Sequence, residues 1–180
     1  MIRYVKTFED FITENPGGLN PPNKIYLKLE NLIKSLLAEY NGGRAFFDAL
    51  DEQIKNVTNK EMILELLSGF EKDYIASSGG FGDTVLHLYD KGAFKCKGLV
   101  TFNGKILTQG RGVESYKPGD FDVKDKDFVF VDDSYFSGKT AETINRYLIS
   151  NNSKIKQVAV IYDGSKDRSG YVKSFYRYYK

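Results

Sequence analysis

Two adjacent carboxylates, Asp132 and Asp133, follow an apolar run, and a short loop with Ser137 and Gly138 leads from them into a predicted helix at Thr140. The free amides and the dipole at a helix N-terminus favour a phosphate monoester, and glycine lets the backbone approach it closely. The two acids would repel a bare polyphosphate. They would instead accept hydrogen bonds from adjacent hydroxyls, such as the 2′ and 3′ hydroxyls of ribose. The pattern therefore predicts a site for a ribose 5-phosphate.

A strand, a helix and a second strand must position this loop. Phe128–Val131 is a continuous apolar run, which is typical of a strand buried on both faces. A helix is predicted over Thr140–Ile149, and Val158–Tyr162 is a second apolar strand. Strand, helix and strand in this order predict two parallel strands joined by a right-handed crossover. Ligands bind outside the carboxyl ends of such strands, so the site is expected in the loop after the first one.

These residues resemble the signature of the type I phosphoribosyltransferases, which is a hydrophobic strand, two acids, a short loop and Ser/Thr-Gly-x-Thr opening a helix. The resemblance covers only the segment from Lys124 to Asp163. It implies that Asp132 and Asp133 contact the ribose hydroxyls of phosphoribosyl pyrophosphate (PRPP), with Asp133 as the catalytic residue. It also implies that Phe136–Thr140 holds the 5-phosphate, and that Mg²⁺ is bound through the substrate with no direct protein ligand. The implied reaction is attack of a nitrogen nucleophile, such as a nucleobase, on the anomeric carbon with loss of pyrophosphate.

Further contacts are expected around this motif. Asp163 follows the second apolar strand and should therefore lie at the same sheet edge. A mobile loop over the site is expected at Asn103–Lys117, with pyrophosphate contacts from Lys105 or Arg111. No upstream strand and crossover helix that could hold the pyrophosphate is predicted. The full set of expected substrate-binding residues is Asp132, Asp133, Ser134, Phe136, Ser137, Gly138, Lys139, Thr140 and Asp163.

Two other functions fit parts of the same pattern. A non-catalytic protein could keep the pocket as a nucleotide or PRPP sensor, which the missing pyrophosphate signature favours and the intact Asp132 and Asp133 oppose. A degenerate P-loop of a nucleotide hydrolase would match Gly138-Lys139-Thr140. Asp133, however, stands where the first P-loop glycine belongs, and an acid there opposes a phosphate cradle.

The fold class predicted for the whole chain is α/β, with a phosphoribosyltransferase-like parallel sheet in the C-terminal half. Residues 1–76 are predicted to be a helical hood or packing layer, residues 77–180 the α/β core, and the two together one compact domain. The glycine-rich segment Ser77–Gly82 marks the boundary as a flexible connection. Helices are predicted from Thr7, from Asn23 to a left-handed glycine stop at Asn41–Gly43, across Phe46, Phe47, Leu50 and Ile54, and from a capping box at Thr58 and Glu61.

An antiparallel β segment is predicted in the middle of the chain, with Asn103-Gly104 as a hairpin turn. His87 would lie in it as a structural histidine, and Cys96 between Lys95 and Lys97 is a weak candidate for a lowered-pKa thiol. The tail from Val172 to Tyr179 has the spacing of an amphipathic helix. The β runs expected in the segment are Thr84–Tyr89, Ala93–Cys96, Leu99–Phe102 and Lys105–Thr108.

Composition excludes several classes of protein. The formal charge of +2 is too small for a generic polyanion binder, and nucleic acid is not expected as a partner. With one cysteine the chain forms no internal disulfide, which favours a reducing compartment. No run approaches the length of a membrane span, and no signal-peptide core is present. A cytoplasmic protein that binds a phosphorylated small molecule, with a homodimer as one assembly, is the expectation.

Overall fold

The computed structural model of this chain describes residues 19, 21–41, 43–105, 112–166 and 169–177. Three helices precede the first strand in this part of the chain, and the strands that follow alternate with two more helices. The elements are α1 (Asn23–Glu39), α2 (Gly43–Val57), α3 (Lys60–Leu67), β1 (Tyr74–Ser78), α4 (Gly79–Asp90), β2 (Gly98–Phe102), β3 (Ser115–Tyr116), β4 (Asp127–Tyr135), α5 (Lys139–Ser150), β5 (Lys154–Asp163) and β6 (Val172–Arg177).

The described strands form a six-stranded sheet in the order β3-β2-β1-β4-β5-β6. β1 pairs in parallel with both β2 and β4, and the short β3 pairs antiparallel with β2. Lys154 N donates to Lys126 O (3.1 Å) before β4, and Gly164 N donates to Tyr135 O (2.9 Å) at its end, so β5 also runs parallel to β4. The predicted α/β class with a mostly parallel sheet and N-terminal helices is confirmed.

The strand order contains a topological switch point. From β1 the chain continues to β2, towards one end of the strand order, whereas from β4 it continues to β5, towards the other end. β1 and β4 are neighbours, with Ser77 in register with Val131 near their carboxyl ends. Loops that leave two adjacent strands in opposite directions open a crevice at that edge, which is where open α/β sheets bind ligands.

Two compact units are defined by internal contacts. The first, called here the helical unit, comprises the described residues of Met1–Leu66, Asp133–Phe136 and Val160–Lys180. The second, called the sheet unit, comprises those of Leu67–Asp132 and Ser137–Ala159. The predicted division at residues 76 and 77 stays a prediction. No helix in the described ranges is long and apolar enough to span a membrane.

In the helical unit, α1 packs against β6, and α2 and α1 contact each other. The predicted helices are confirmed here, but their ends differ from the expectation. α1 ends at Glu39 with Tyr40 extended (φ −115°), not with a left-handed glycine. Asn59 caps α3 by accepting a hydrogen bond from Met62 N (3.0 Å), whereas Thr58 donates to Ile54 O (2.7 Å), so the predicted capping box is wrong. The helix predicted from Thr7 lies outside the described residues.

In the sheet unit, the predicted antiparallel segment is largely wrong. Thr84–Tyr89 belongs to α4, whose buried residues Phe81, Val85 and Leu88 recur with a helical period. Apolar and polar residues alternate around Leu86 and Leu88, which predicts a strand and conceals the helical period in the sequence. Ser77–Gly82 is the end of β1 and the first turn of α4 rather than a flexible connection.

Two further β predictions in this region also fail. Ala93–Cys96 forms no strand, and Lys105 lies outside the strands, while residues 106–108 of the predicted run are not described. Asn103-Gly104 forms no hairpin because the antiparallel partner of β2 is Ser115–Tyr116. The expected strand at Leu99–Phe102 is present as β2, but it pairs in parallel with β1.

The tail forms the strand β6 instead of the predicted amphipathic helix. Its aromatic residues favour a strand, and Tyr176 packs against Tyr26 of α1 (ring centroids 5.1 Å) and Tyr162 of β5 (6.4 Å). Arg177 forms an ion pair with the buried Asp163. Burial on both faces of β6 therefore outweighed the helical spacing of its apolar residues.

Candidate functional site

The strand β4 continues past both acids to Tyr135. Successive side chains of a strand point to opposite faces, so Asp132 and Asp133 leave β4 on opposite faces. Asp132 is half-buried, and Asp133 is buried with 9% of its surface exposed. The sequence predicted that the strand ends before the acids and that they act as a side-by-side pair. The strand geometry gives them different surroundings instead.

The N-terminus of α5 begins at a left-handed turn. Gly138 is the N-cap residue at φ 73° and ψ 3°, a conformation that other residues adopt only at a cost, and no side chain caps the helix there. Ser137, Lys139 and Thr140 are exposed around it. Ser137 Oγ accepts a hydrogen bond from Lys139 N at 3.5 Å, which is long enough for a better acceptor to replace it. The predicted loop and helix start are present with backbone amides and two exposed hydroxyls, and anion binding by them stays a prediction.

A second turn at the same edge, between β1 and α4, was missed by the sequence reading. Gly79 follows β1 at φ 61°, and a Cβ on Gly104 after β2 would lie 2.8 Å from Gly79 Cα. The loops after β1 and β2 therefore touch, and glycine at position 104 permits the close approach, whereas Gly79 is favoured by its positive φ. Ser77 Oγ donates to Val131 O (2.8 Å), which ties the end of β1 to β4. The upstream strand and crossover helix that the sequence reading did not find are thus β1 and α4.

The glycine run after an apolar strand was the signal that could have revealed this turn. Gly79-Gly80-Phe81-Gly82 follows Tyr74–Ser78 directly. A Cβ on Gly82 would lie 3.2 Å from the backbone of Ser77, so α4 packs tightly on the strand that precedes it. Such close packing of strand and helix around glycine accompanies phosphate turns at switch points.

In the helical unit, the hydroxyl of Ser134 lies between two carboxylates. Ser134 Oγ is 3.1 Å from Asp51 Oδ1 and 3.2 Å from Asp133 Oδ1. Asp51 in turn forms an ion pair with Lys55 (2.7 Å) one turn along α2. The expected catalytic residue is therefore held by a serine that also contacts the helix α2. Nothing in the sequence pointed to Asp51, since it is distant in the chain and its spacing to Lys55 is common on exposed helices.

Phe136 packs inside the helical unit. Its ring contacts Phe47 of α2 (ring centroids 6.4 Å) and Tyr162 of β5 (5.6 Å). A Cβ on Gly164 would lie 2.5 Å from the Phe136 ring, so only glycine at position 164 leaves room for this aromatic side chain. Phe136 is half-buried, and its contact with substrate stays a prediction.

Asp163 is fully buried at the end of β5. Its carboxylate pairs with Arg177 Nη2 (2.6 Å) and accepts a hydrogen bond from Ser165 N (2.8 Å). These partners account for a buried charge without a ligand. A substrate contact by Asp163 stays a prediction, and it would compete with this ion pair.

The remaining candidates fall elsewhere in the sheet unit. Lys105 is exposed after β2, and its backbone N donates to Asn103 Oδ1 (3.1 Å), whereas Arg111 lies outside the described residues.

His87 is exposed on α4 and is therefore not the structural strand histidine that was predicted. Burial raises the pKa of the Cys96 thiol to about 11, although a hydrogen bond with the Gly98 backbone opposes that shift. This direction is opposite to that of an activated thiol.

No family model and no curated protein matches this chain. Its structure is similar to that of adenine phosphoribosyltransferase from Rhodothermus marinus, with a TM-score of 0.43 and 14% identity over 66% of this chain and 78% of that one. The adenine phosphoribosyltransferase from Thermoanaerobacter pseudethanolicus gives 0.42 and 18%, over 66% and 77%. The purine phosphoribosyltransferase from Pyrococcus horikoshii gives 0.41 and 21%, over 72% and 82%.

The family named for these three structures is the one that the motif from Asp132 to Thr140 resembles.

Proposed function

We propose that this chain binds PRPP and transfers its ribose 5-phosphate to a nitrogen nucleophile, such as a nucleobase, with release of pyrophosphate. One observation carries the proposal. A carboxylate, Asp132, lies near the carboxyl end of the switch-point strand β4, and the α5 N-terminus with Gly138 as its N-cap residue follows this strand. A phosphate on the amides and a diol on the carboxylate describe the two ends of a ribose 5-phosphate.

The 5-phosphate would lie on the first turn of α5. The backbone amides of that turn would donate hydrogen bonds to the phosphate, and the hydroxyls of Ser137 and Thr140 are exposed beside them. Lys139 is exposed at the rim, where it would add charge without being positioned as a catalyst. The left-handed turn at Gly138 keeps a side chain out of the space that the phosphate would occupy.

Asp132 and Asp133 would have separate roles. Asp132 is half-buried and would accept hydrogen bonds from the ribose hydroxyls. Asp133 is the proposed catalytic carboxylate, because a buried negative charge stabilises the cationic anomeric carbon of the transition state more than an exposed one. Ser134 would hold that carboxylate in place through the contact at 3.2 Å.

The pyrophosphate would lie against the glycine-rich turn between β1 and α4. That turn shares the carboxyl edge with β4 and carries Gly79 in a left-handed conformation. Lys105 follows the neighbouring strand β2 and is exposed, so its side chain is a candidate contact from the far side. This assignment adds a backbone site to the lysine and arginine contacts that sequence alone suggested.

The resemblance implies a magnesium ion that is bound through the substrate, with no direct protein ligand. Mg²⁺ takes oxygen ligands, including substrate phosphates, and the half-buried Asp132 would hold the ribose hydroxyls of the substrate that carries the ion. When bound, the ion would neutralise the charge that develops on the departing pyrophosphate. Within the described residues, no group of three or more His, Cys, Asp or Glu side chains is arranged to hold a metal ion.

A protein that binds PRPP without turnover is the second candidate, and the contact of Asp133 with Ser134, which also contacts Asp51, favours it. Asp133 leaves β4 on the face opposite to Asp132 and contacts Ser134. A carboxylate committed to such contacts would serve packing rather than catalysis. The P-loop alternative is not proposed, because Asp133 lies within a strand, where a P-loop would already have left the sheet.

Turnover separates the two candidates. Purified protein would be mixed with PRPP, Mg²⁺ and each of a panel of nucleobases, and pyrophosphate release would be followed. We expect release with one class of base, and a fall of roughly 100-fold or more in rate for Asp133→Asn. Asp120→Asn, a change at an exposed aspartate of the sheet unit, is the matched control and should leave the rate unchanged. PRPP binding without turnover would favour the binding protein, and absence of PRPP binding would contradict both candidates.

A further inference from the structure

A cavity of about 430 Å³ lies at the amino edge of the sheet, opposite to the candidate site. Tyr74 is the first residue of β1, and Lys97 and Lys126 directly precede β2 and β4, so the cavity spans the starts of three neighbouring strands. Asp127, which lines it, is five residues before Asp132 along β4, a span of about 17 Å. The cavity therefore takes no part in chemistry at the carboxyl edge. It is called here the amino-edge cavity.

Cationic side chains converge on this cavity. Four lysines line it, and one of them, Lys156, forms an ion pair with Asp73. The Nζ atoms of Lys97 and Lys126 lie 5.9 Å and 5.7 Å from the ring centroid of Tyr74. Both ammonium groups thus lie near one aromatic ring of the cavity lining. An anion in the cavity would be attracted by both charges.

The aromatic ring that carries the two lysines is fixed by its neighbours. Tyr74 packs against Phe121 (ring centroids 5.5 Å) and Phe128 (5.8 Å). A rigid ring limits the positions of the two ammonium groups, because each is attracted to its face. Fewer lysine conformations then have to be lost when a ligand binds.

The wall of the cavity is also held in place. Asp125 and Asn152 have left-handed backbones, with φ of 58° and 55°, and their side chains are hydrogen-bonded to each other. Ser153 Oγ accepts a hydrogen bond from Lys126 N (2.9 Å) and donates one to Val123 O (2.6 Å). The turn before β4 and the turn before β5 are thereby joined, so the backbone of Lys126 does not need to move to meet a ligand.

We propose that the amino-edge cavity is a second binding site, which takes a small phosphorylated molecule carrying free hydroxyls. The phosphate would lie between Lys97 and Lys126, and the carboxylates of Asp125 and Asp127 would accept hydrogen bonds from the hydroxyls. The volume is in the range of small-molecule sites. Four lysines against three aspartates leave a cationic excess of one, which suits a single phosphate group rather than a nucleic acid.

Residue-resolved titration tests the proposal. The full chain, labelled with ¹⁵N, would be titrated with ribose 5-phosphate while the amides of Tyr74, Lys97 and Lys126 are followed. The amides of Gly138 and Lys139 report the carboxyl edge in the same spectra. We expect saturable shifts at the amino edge, with no such shifts for ribose at the same concentration.

A variant that lacks the charges of Lys97 and Lys126 tests whether these two lysines bind the phosphate. Lys97→Gln with Lys126→Gln keeps the aliphatic contacts with Tyr74 but removes both charges, and the affinity at the amino edge should fall by at least about tenfold. Lys91→Gln, at an exposed lysine after α4 that does not line the cavity, is the matched control and should change it by less than about twofold. If the double variant loses its spectral dispersion, Lys97→Gln and Lys126→Gln are compared singly.

Three results would overturn the proposal. They are the absence of saturable shifts at the amino edge, equal affinity in the double variant and the wild type, and the same shifts with sodium sulfate at matched ionic strength. The proposed transferase function is tested separately in these spectra. Shifts confined to Gly138 and Lys139 would overturn the second site alone, whereas shifts confined to the amino edge would support it and count against PRPP binding at α5.

Discussion

The two units of this protein use charged groups in different ways. The helical unit holds a largely buried ion pair, Asp163 with Arg177 (2.6 Å), besides exposed pairs such as Arg44 with Asp48. The sheet unit places them at its two edges, with Lys139 beside the α5 turn and a group of lysines around the amino-edge cavity. Buried pairs are needed to keep a fold intact, whereas edge charges contribute little to stability and remain available for ligands. The difference indicates which charges are structural and which are candidates for function.

The strongest test of this comparison is Asp163→Asn. It would leave the guanidinium of Arg177 without its counter-charge in a buried position, so we expect the free energy of unfolding to fall by about 3–5 kcal/mol. Urea denaturation measures it. Asp120→Asn at an exposed aspartate should change stability by less than about 0.5 kcal/mol, and a similarly small loss for Asp163→Asn would contradict the structural role.

In the sheet unit, Gly138→Ala should weaken ligand binding rather than unfold the protein. A Cβ at φ 73° strains the turn by about 1–2 kcal/mol and should weaken PRPP binding by about tenfold. Gly119→Ala is the control, since no positive φ applies there and its new Cβ would lie 3.8 Å from the nearest atom. Unchanged PRPP affinity in Gly138→Ala would remove the α5 turn from the site.

Ser134→Ala sharpens the comparison because Ser134 contacts Asp133, a charged group of the helical unit that is proposed to be catalytic rather than structural. Loss of a hydroxyl placed 3.1 Å and 3.2 Å from two carboxylate oxygens should cost about 1 kcal/mol of stability. We expect kcat to fall while KM for PRPP is kept, with rescue by Ser134→Thr. Ser137→Ala should show the reverse, a raised KM with kcat kept. A rise in KM for Ser134→Ala would instead place Ser134 on the substrate.

The smallest effect is expected for Lys97→Gln with Lys126→Gln in the absence of ligand. Both lysines line the amino-edge cavity and contact the Tyr74 ring, and Lys126 Nζ donates to Lys124 O (3.3 Å). Because such contacts contribute little at exposed sites, the free energy of unfolding should change by less than about 1 kcal/mol. A loss of several kcal/mol in urea denaturation would show that these lysines hold the fold together and would weaken the distinction between the two units.

The sequence predicted the parts of the fold where one pattern dominates. The apolar run Phe128–Val131 became β4, and the 3.6-residue period from Asn23 became α1, because burial of a single continuous face decides both. The loop with Gly138 ahead of α5 was also predicted, because a glycine directly before a helix start favours a turn. Where two periods competed, as in Thr84–Tyr89, neighbouring elements decided the outcome, and the sequence reading failed.

The rest of the candidate site depends on contacts that no local pattern encodes. β6 is a strand because Tyr176 packs between Tyr26 and Tyr162, which lie far apart in the chain. Asp51 reaches Ser134 across a separation of 83 residues. The β1–α4 turn was overlooked because its glycines were read as a flexible connection, although a short apolar strand precedes them. Long-range pairing is the information that a single sequence does not supply.

Calorimetric titration with PRPP, with and without Mg²⁺ and with ATP as the comparison ligand, tests the central claim most directly. The proposed site predicts Mg²⁺-dependent binding of PRPP that is weakened by at least about tenfold in Ser137→Ala with Thr140→Ala. The same double change should leave any response at the amino-edge cavity intact. Tight binding of ATP with no response to PRPP, or PRPP binding that the double variant leaves unchanged, would contradict the account.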